Sequence, residues 1–304
     1  MHDPFPIPPI KWLQRASQPL ANLLGLETLP LHIHEIAIAG FFYHFLFAFL
    51  APVLSARFAP GHYAQLPRDK KLQWNMKVVS FIQSTLISGL SLLVINLDEE
   101  RENMGHAERI WGYTGAAGMV QALAVGYFLW DAYIMARYTD VFGVAMLVHG
   151  VACSLTFSLG FRPVLNYYGC VFMLYELSTP LLNIHWVLDK VGMTGSRLQI
   201  GNGIALIATF FSVRLVYGGI MSAHLYSDVW RALKLECESV VPTRDFHVQD
   251  AFKLLGPLAN CPLPRWILLL YLGGHVTLNS LNVYWFGAMI RAIRRRADHS
   301  DKTS

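Results

Sequence analysis

The sequence predicts an all-α, polytopic integral membrane protein with about seven transmembrane helices. Hydrophobic residues make up 54% of the 304 residues and charged residues only 14%, whereas soluble domains carry about 25% charged residues. The apolar residues collect in long runs of the length that crosses a bilayer as a helix, about 20 residues. None of these runs alternates apolar and polar residues as the strands of a membrane barrel do, so the prediction is a helical bundle.

Seven apolar runs are the candidate transmembrane helices. In chain order they are residues 36–55, 78–97, 111–136, 141–159, 164–188, 203–223 and 266–290. Pro180 lies inside the fifth run, and because proline has no backbone N–H it should kink that helix or divide it in two. The ends of the third run and the effect of Pro180 are the two open points of this assignment.

Composition divides the chain into four regions. Residues 1–32 form a polar segment with several prolines, and residues 33–69 contain the first span and a basic loop. The remaining helical bundle occupies residues 70–296, and residues 297–304 form a polar tail. The N-terminal segment has neither the apolar stretch nor the cleavage site of a signal peptide, so we expect the first spans to direct membrane insertion.

Lysine and arginine predict the orientation, since positive residues collect in cytosolic loops. The connection after the second span is acidic, whereas the loop after the first span and the C-terminal tail are basic. The basic residues are Arg57, Arg68, Lys70, Lys71, Lys77, Arg291, Arg294, Arg295 and Arg296. With seven spans, the C-terminus and the first loop lie in the cytosol, and the N-terminus and residues 225–265 lie on the opposite side.

Several functional classes are disfavoured by the same sequence. The net charge of +4 comes largely from one short stretch near the C-terminus, so we expect no nucleic-acid partner. The four cysteines lack CxxC spacing, so no metal site is predicted from them. No Walker loop, GxSxG elbow or HExxH helix occurs, and no cofactor is expected.

Eight polar side chains lie within five of the predicted spans, where such groups are costly and usually face a cavity or the bundle interior. They are Asp131, His149, Glu176, Asn183, Arg214, His275, Asn279 and Asn282. Three of the helices carry polar stripes at the i, i+4, i+7 spacing of one helix face. The stripes are His149–Cys153–Thr156, Glu176–Thr179–Asn183 and His275–Asn279–Asn282.

Two interpretations of these polar residues stay open. They could line one shared lipid-binding cavity, with Arg214 facing an anionic head group or Glu176. They could equally join helices as structural hydrogen bonds, each contributing about 0.6–2 kcal/mol, with Glu176 and Arg214 forming a self-sufficient ion pair. His149 is the candidate catalytic residue, but an imidazole that acts as base or nucleophile needs an orienting partner, and the sequence does not supply one.

Five fragments, in this order and spacing, resemble the TLC-domain family of the endoplasmic reticulum and related membranes. They are WNMKVVS at 74–80, GYFLWD at 126–131, MLVH at 146–149, ELSTPLLNIHW at 176–186 and NVYWF at 282–286. The family includes ceramide synthases, translocon-associated proteins and lipid-homeostasis proteins. The resemblance covers residues 70–296 and implies a TLC-type helical bundle in the endoplasmic reticulum or a connected endomembrane.

The ceramide synthase pattern is only partly present. That branch carries His-His in the fourth of these spans, followed later by His-Asp and, three residues on, a second Asp. His149 matches the first His, but Gly150 stands at the second. Glu176 and Leu177 replace the His-Asp pair, and Pro180 replaces the second Asp. The Glu-Leu-Ser-Thr-Pro form resembles instead the branch outside the ceramide synthases, which is implicated in lipid composition, trafficking or sensing.

We therefore expect a membrane protein that binds, senses or traffics lipids and helps to regulate membrane lipid composition. Its expected partners are membrane lipids (sphingolipid, fatty acyl chain or phospholipid), and a homodimer is left open. The alternatives are a ceramide-synthase-like lipid N-acyltransferase that uses His149, and a translocon-associated or cargo-receptor protein. Cys237 and Cys261 would lie in an oxidising compartment and could form a disulfide, whereas Cys153 and Cys170 should be free thiols.

Overall fold

The computed structural model describes residues 1–162, 164–234 and 265–301, and every regular element in those ranges is helical. A short helix, α1, precedes seven longer helical segments. The eight helices, in chain order, are α1 Lys11–Leu24, α2 Leu29–Phe58, α3 Arg68–Leu97, α4 Gly115–Arg137, α5 Val144–Phe161, α6 at residues 166–190, α7 Arg197–Leu233 and α8 Arg265–Asp301. Short helices Pro60–Tyr63, Glu99–Glu102, His106–Trp111 and Thr139–Phe142 lie in the connections. The all-α prediction is confirmed.

Five helices of the described chain, α2, α3, α4, α5 and α7, are long and apolar enough to cross a membrane. The two remaining predicted spans correspond to α6 and α8, which are also helical, so the count of seven spans stays a prediction. The third span begins at Gly115 and not at residue 111, because the backbone of residues 112–114 is not helical. The Thr114 side chain then caps the new helix by accepting a hydrogen bond from the Ala117 N–H.

Pro180 does not divide the fifth span. Helix α6 runs as an α-helix at Asn166–Met173, tightens to a 3-10 helix at Leu174–Ser178, and resumes as an α-helix at Thr179–Lys190. Pro180 lies in the first turn of the last piece, so the backbone hydrogen bond that proline cannot donate falls at the junction of the two helix types. The helix type changes just before the proline, and the chain stays helical throughout.

Helix α4 lies at the centre of the bundle, and most of its side chains are buried. At Gly126 it approaches α2 so closely that a Cβ atom would lie 2.6 Å from the carbonyl oxygen of Ile36 and 2.7 Å from the Cβ of Ala39. One turn away, Tyr43 of α2 packs against Tyr127 of α4, with their ring centroids 5.1 Å apart. This contact anchors α2 to the bundle.

The N-terminal region contains a helix that its composition did not reveal. Within the segment predicted as polar, α1 buries Ser17 and Ala21, whereas Trp12 and Leu23 stay 67% and 80% exposed. The helix ends at Gly25, whose φ of +66° lies in the left-handed region that favours glycine. Such an exposed apolar face is typical of a helix that lies along a membrane surface.

Two of the four cysteines lie among the described residues. Cys153 and Cys170 are free and buried, as predicted. Cys237 and Cys261, the candidate disulfide pair, lie outside the described residues.

Candidate functional site

Five of the eight polar residues singled out in the sequence line one cavity between α5, α6, α7 and α8. They are His149, Glu176, Arg214, His275 and Asn282. The space open to the centres of water-sized molecules is about 50 Å³, several times the roughly 10–15 Å³ that one water requires. The cavity therefore has room for part of a lipid, such as a polar head or a chain end, but not for a whole lipid.

Aromatic side chains form much of the cavity wall, and the sequence analysis did not identify them as site residues. They are Phe128, Phe157, Phe172, Tyr175, Tyr271 and Trp285. Three of them are adjacent to or within the sequence fragments used above. Phe128 belongs to the fragment at 126–131, Tyr175 immediately precedes Glu176, and Trp285 belongs to the fragment at 282–286. Their position in or beside these fragments was the sequence feature that could have identified them as site residues. The result is an apolar cavity with a few polar groups, the usual composition of a small-molecule site.

Arg214 is the principal cationic group of this cavity among the described residues. It lies in a π-helical stretch of α7, Phe211–Tyr217, a helix type that recurs at functional sites. Its Nε donates to the Ser178 hydroxyl at 3.2 Å, Nη1 to Asn282 Oδ1 at 3.0 Å, and Nη2 to the Thr179 hydroxyl at 3.3 Å. A guanidinium has five N–H groups, so two of them have no acceptor within the described part of the chain.

Glu176 faces Arg214 but does not hydrogen-bond to it. The distance from Arg214 Nη2 to Glu176 Oε1 is 3.8 Å, and the two side chains are 11% and 19% exposed. The 3-10 turn at Leu174–Ser178 positions the carboxylate. This spacing is that of a charge pair, and the hydrogen bonds that orient Arg214 come from Ser178, Thr179 and Asn282 instead.

His149 has an aromatic neighbour and a thiol neighbour. Its ring meets Trp285 edge-to-face with centroids 5.6 Å apart, and the sulfur of Cys153 lies 3.7 Å from Nε2 and 3.9 Å from Nδ1. Among the described contacts of His149 there is no hydrogen bond to a carboxylate. The orienting acid that a histidine base or nucleophile uses is therefore not in place.

A polar network joins α6, α7 and α8 beside the cavity. His275 Nε2 lies 2.9 Å from the Ser222 hydroxyl and 3.1 Å from Asn279 Nδ2, and the Tyr175 hydroxyl donates to Asn279 Oδ1 at 2.9 Å. The His275 ring also packs on Phe172 at 4.4 Å. The three residues of the predicted α8 stripe thus face inward, with His275 and Asn282 at the cavity and Asn279 bonded behind it.

Two of the predicted residues, Asn183 and Asp131, do not line the cavity. Asn183 Nδ2 donates to the Ser80 hydroxyl at 3.0 Å and so joins α6 to α3. Asp131 is buried at the contact of α4 with α5, where a Cβ atom added to Gly150 would lie 2.9 Å from its Oδ2. Both residues fit the structural interpretation of intramembrane polar groups.

The family model of the TLC domain matches residues 73–291. The chain belongs to the TLC-domain family. A TLC domain-containing protein of Schizosaccharomyces pombe is 36% identical over 96% of this chain and 89% of its own length. Topoisomerase I damage affected protein 4 of Saccharomyces cerevisiae is 26% identical over 88% of this chain and 86% of its own. TLC domain-containing protein 4 of Homo sapiens is 31% identical over 60% of this chain and 69% of its own.

The TLC domain holds every side chain that lines the cavity, since the lining begins at Phe128 and ends at Trp285. It also holds the packing that surrounds His149. Gly150, the position where ceramide synthases carry a second histidine, lies so close to α4 that a Cβ would also come within 3.3 Å of the Ala132 backbone. A side chain at residue 150 would therefore have to displace the Asp131 carboxylate and would press on the α4 backbone.

Proposed function

We propose that this TLC-domain protein binds membrane lipids in the cavity between α5, α6, α7 and α8 and thereby helps to regulate membrane lipid composition. The observation that carries the proposal is Arg214, an oriented guanidinium at a largely aromatic cavity with two N–H groups that have no described acceptor. Guanidinium groups bind carboxylate and phosphate through two parallel hydrogen bonds. The matching ligand is a lipid with an anionic head, a phospholipid or a fatty acid.

A second polar group supports a bound ligand. Asn282 accepts from Arg214 through Oδ1, but its buried Nδ2 has no hydrogen-bond partner in the part of the chain that the structure describes. Buried donors without partners are uncommon and call for an explanation. An acceptor oxygen on a lipid head would satisfy Asn282 and Arg214 together, with the aromatic side chains contacting the first methylenes of its chain.

The acyltransferase alternative is less well supported by the site. His149 is at the cavity, but the hydrogen-bonding acid it would need is absent from its described contacts, and a glycine, Gly150, stands where a second histidine would be. Lipid binding requires only a cavity and an anchoring charge. For the whole protein we propose the endoplasmic reticulum or a connected endomembrane, with the C-terminus in the cytosol, because the basic residues follow the first and last spans.

Mass spectrometry of the lipids that co-purify with the protein in a mild detergent tests the proposal. We expect an anionic lipid enriched over its share in the source membrane. Arg214→Lys keeps the charge but loses the two-point geometry, so it should lower the enrichment at least about tenfold, a loss of about 1.4 kcal/mol. Arg197→Lys, on the exposed first turn of the same helix, is the matched control. Equal lipid profiles for the two variants and the unmodified protein would contradict the proposal.

A further inference from the structure

A second cluster of titratable side chains lies outside the TLC domain, where the N-terminal segment meets the start of α2. His32 Nδ1 is 3.0 Å from both carboxylate oxygens of Glu35 and 3.6 Å from Asp3 Oδ2. One ligand atom from each of the three residues can be chosen so that all lie within 4.8 Å of one another. His32 and Glu35 share a helix face at i, i+3, and the fold of the N-terminal segment adds Asp3.

The only possible cationic partners of the two carboxylates in the described ranges are histidines. Glu35 is fully buried and His32 is 1% exposed. The ion pairs of Asp3 and Glu35 in the described ranges are with His32 and, for Glu35, also with His34 at 3.8 Å. No lysine or arginine of those ranges pairs with either carboxylate. An ionised carboxylate is strongly unfavourable when it is buried without a partner, and either a shared proton or a bound cation removes that cost.

The spacing of the three groups fits a small metal ion. Zinc binds histidine nitrogen and carboxylate oxygen at about 2.0–2.2 Å in tetrahedral geometry, which separates neighbouring ligand atoms by about 3.4 Å. The observed separations of 3.0 and 3.6 Å from His32 Nδ1 lie on either side of that value. The Asp3 side chain is 30% exposed, which gives an ion a route to the otherwise buried cluster.

The second ring nitrogen of His32, Nε2, has the kind of hydrogen-bond partner that histidine ligands have in metal sites. Histidine ligands almost always hydrogen-bond through their second ring nitrogen, which fixes the tautomer. Here His32 Nε2 contacts the Tyr113 hydroxyl, so Nε2–H can donate to that oxygen while Nδ1 is left free to coordinate. The neighbouring His34 lies beside the cluster, with Nε2 3.8 Å from Glu35 Oε1, but its Nε2 hydrogen-bonds to the carbonyl oxygen of Ile7 at 2.8 Å.

We propose that Asp3, His32 and Glu35 bind one divalent transition-metal ion of the zinc class. Three protein ligands leave one of the four tetrahedral positions open to water or another ligand. The ion would join the N-terminal segment to α2 and, through Tyr113, to the residues just before α4. The site uses none of the four cysteines, and it is separate from the lipid proposal because it shares no residue with the cavity.

Metal analysis of the full chain tests this site. The protein, tagged only at the C-terminus, is purified in mild detergent, stripped with a chelator and titrated with Zn²⁺ alone. We expect about one zinc per chain by elemental mass spectrometry, as for a single three-ligand site, and a Tm that rises with zinc. Asp3→Asn and Glu35→Gln should each raise the Kd for zinc at least about tenfold.

Asp140→Asn, an exposed aspartate far along the chain, is the matched control and should bind zinc as the unmodified protein does. Glu35→Gln alters a fully buried group and could prevent folding. Asp3→Asn then decides the test, because the Asp3 side chain is partly exposed and its replacement should not disturb the fold. Asp3→Asn with unchanged zinc affinity, or an unmodified protein that retains no zinc, would overturn the proposal. The cluster would then be a hydrogen-bonded triad that shares a proton.

Discussion

The coupling between Glu176 and Arg214 can be predicted from their geometry. At the 3.8 Å separation of Nη2 and Oε1, Coulomb's law with an effective dielectric constant of 20 gives about 4 kcal/mol. The pair lacks a direct hydrogen bond, and desolvation of both charges opposes their attraction. We therefore expect a coupling free energy of about 1–3 kcal/mol in a double-mutant cycle of Glu176→Gln and Arg214→Gln. Arg214→Gln alone should cost more, about 3–5 kcal/mol, because it also removes the three hydrogen bonds of the guanidinium.

The measurement is the free energy of unfolding of the four proteins in mixed micelles, followed by tryptophan fluorescence. Arg197→Gln, an exposed position on the same helix, should change that free energy by less than about 0.5 kcal/mol. Exposed ion pairs often have coupling free energies of at most about 0.5 kcal/mol. A value that small for Glu176 and Arg214 would refute the reasoning that these partly buried charges stabilise each other across the cavity.

Three further predictions follow from the same helices. Gly150→Ala should lower the free energy of unfolding by about 1–3 kcal/mol, because the added Cβ would lie too close to the Asp131 carboxylate of α4. Gly219→Ala, whose Cβ would face open space, is the control and should not lower it; both are measured by unfolding in mixed micelles. His149→Ala should fold and lose part of its co-purified lipid. The unmodified protein should show no transfer of a labelled acyl chain to a lipid acceptor. Transfer by the unmodified protein that His149→Ala abolishes would instead establish acyltransferase activity. Glycosylation tags should place the C-terminus in the cytosol and the N-terminus opposite, and two cytosolic termini would show that the span count is wrong.

Helical periodicity was sufficient to predict which faces of α5 and α8 turn inward. Residues spaced i, i+4, i+7 lie on one side of a regular helix whatever its neighbours are, and His149, His275 and Asn282 all reach the cavity. On α6 the stripe divides between two neighbours. Thr179 accepts a hydrogen bond from Arg214 at the cavity, whereas Asn183, one turn further along, donates to Ser80 of α3.

Contacts between distant segments could not be read from the sequence. The i, i+3 spacing of His32 and Glu35 was visible, but nothing local brings Asp3 to them across 29 positions of the chain. The helix α1 could have been found, because Leu13, Leu20 and Leu24 follow a helical period. Its prolines and modest apolar content led instead to the prediction of a polar segment.

The packing of Gly150 accounts for one difference between this TLC domain and the ceramide synthase pattern, whose first histidine is matched by His149. At that position the glycine lets α5 approach the Asp131 region of α4, and a larger side chain would have to displace the Asp131 carboxylate. Across the cavity, Glu176 stands where the pattern has its next histidine, and it faces Arg214 at 3.8 Å. The titratable groups that acyl transfer would use are thus replaced by a helix contact and a charge pair. What the cavity keeps is an oriented cation among aromatic rings, and the proposal of anionic-lipid binding rests on that feature.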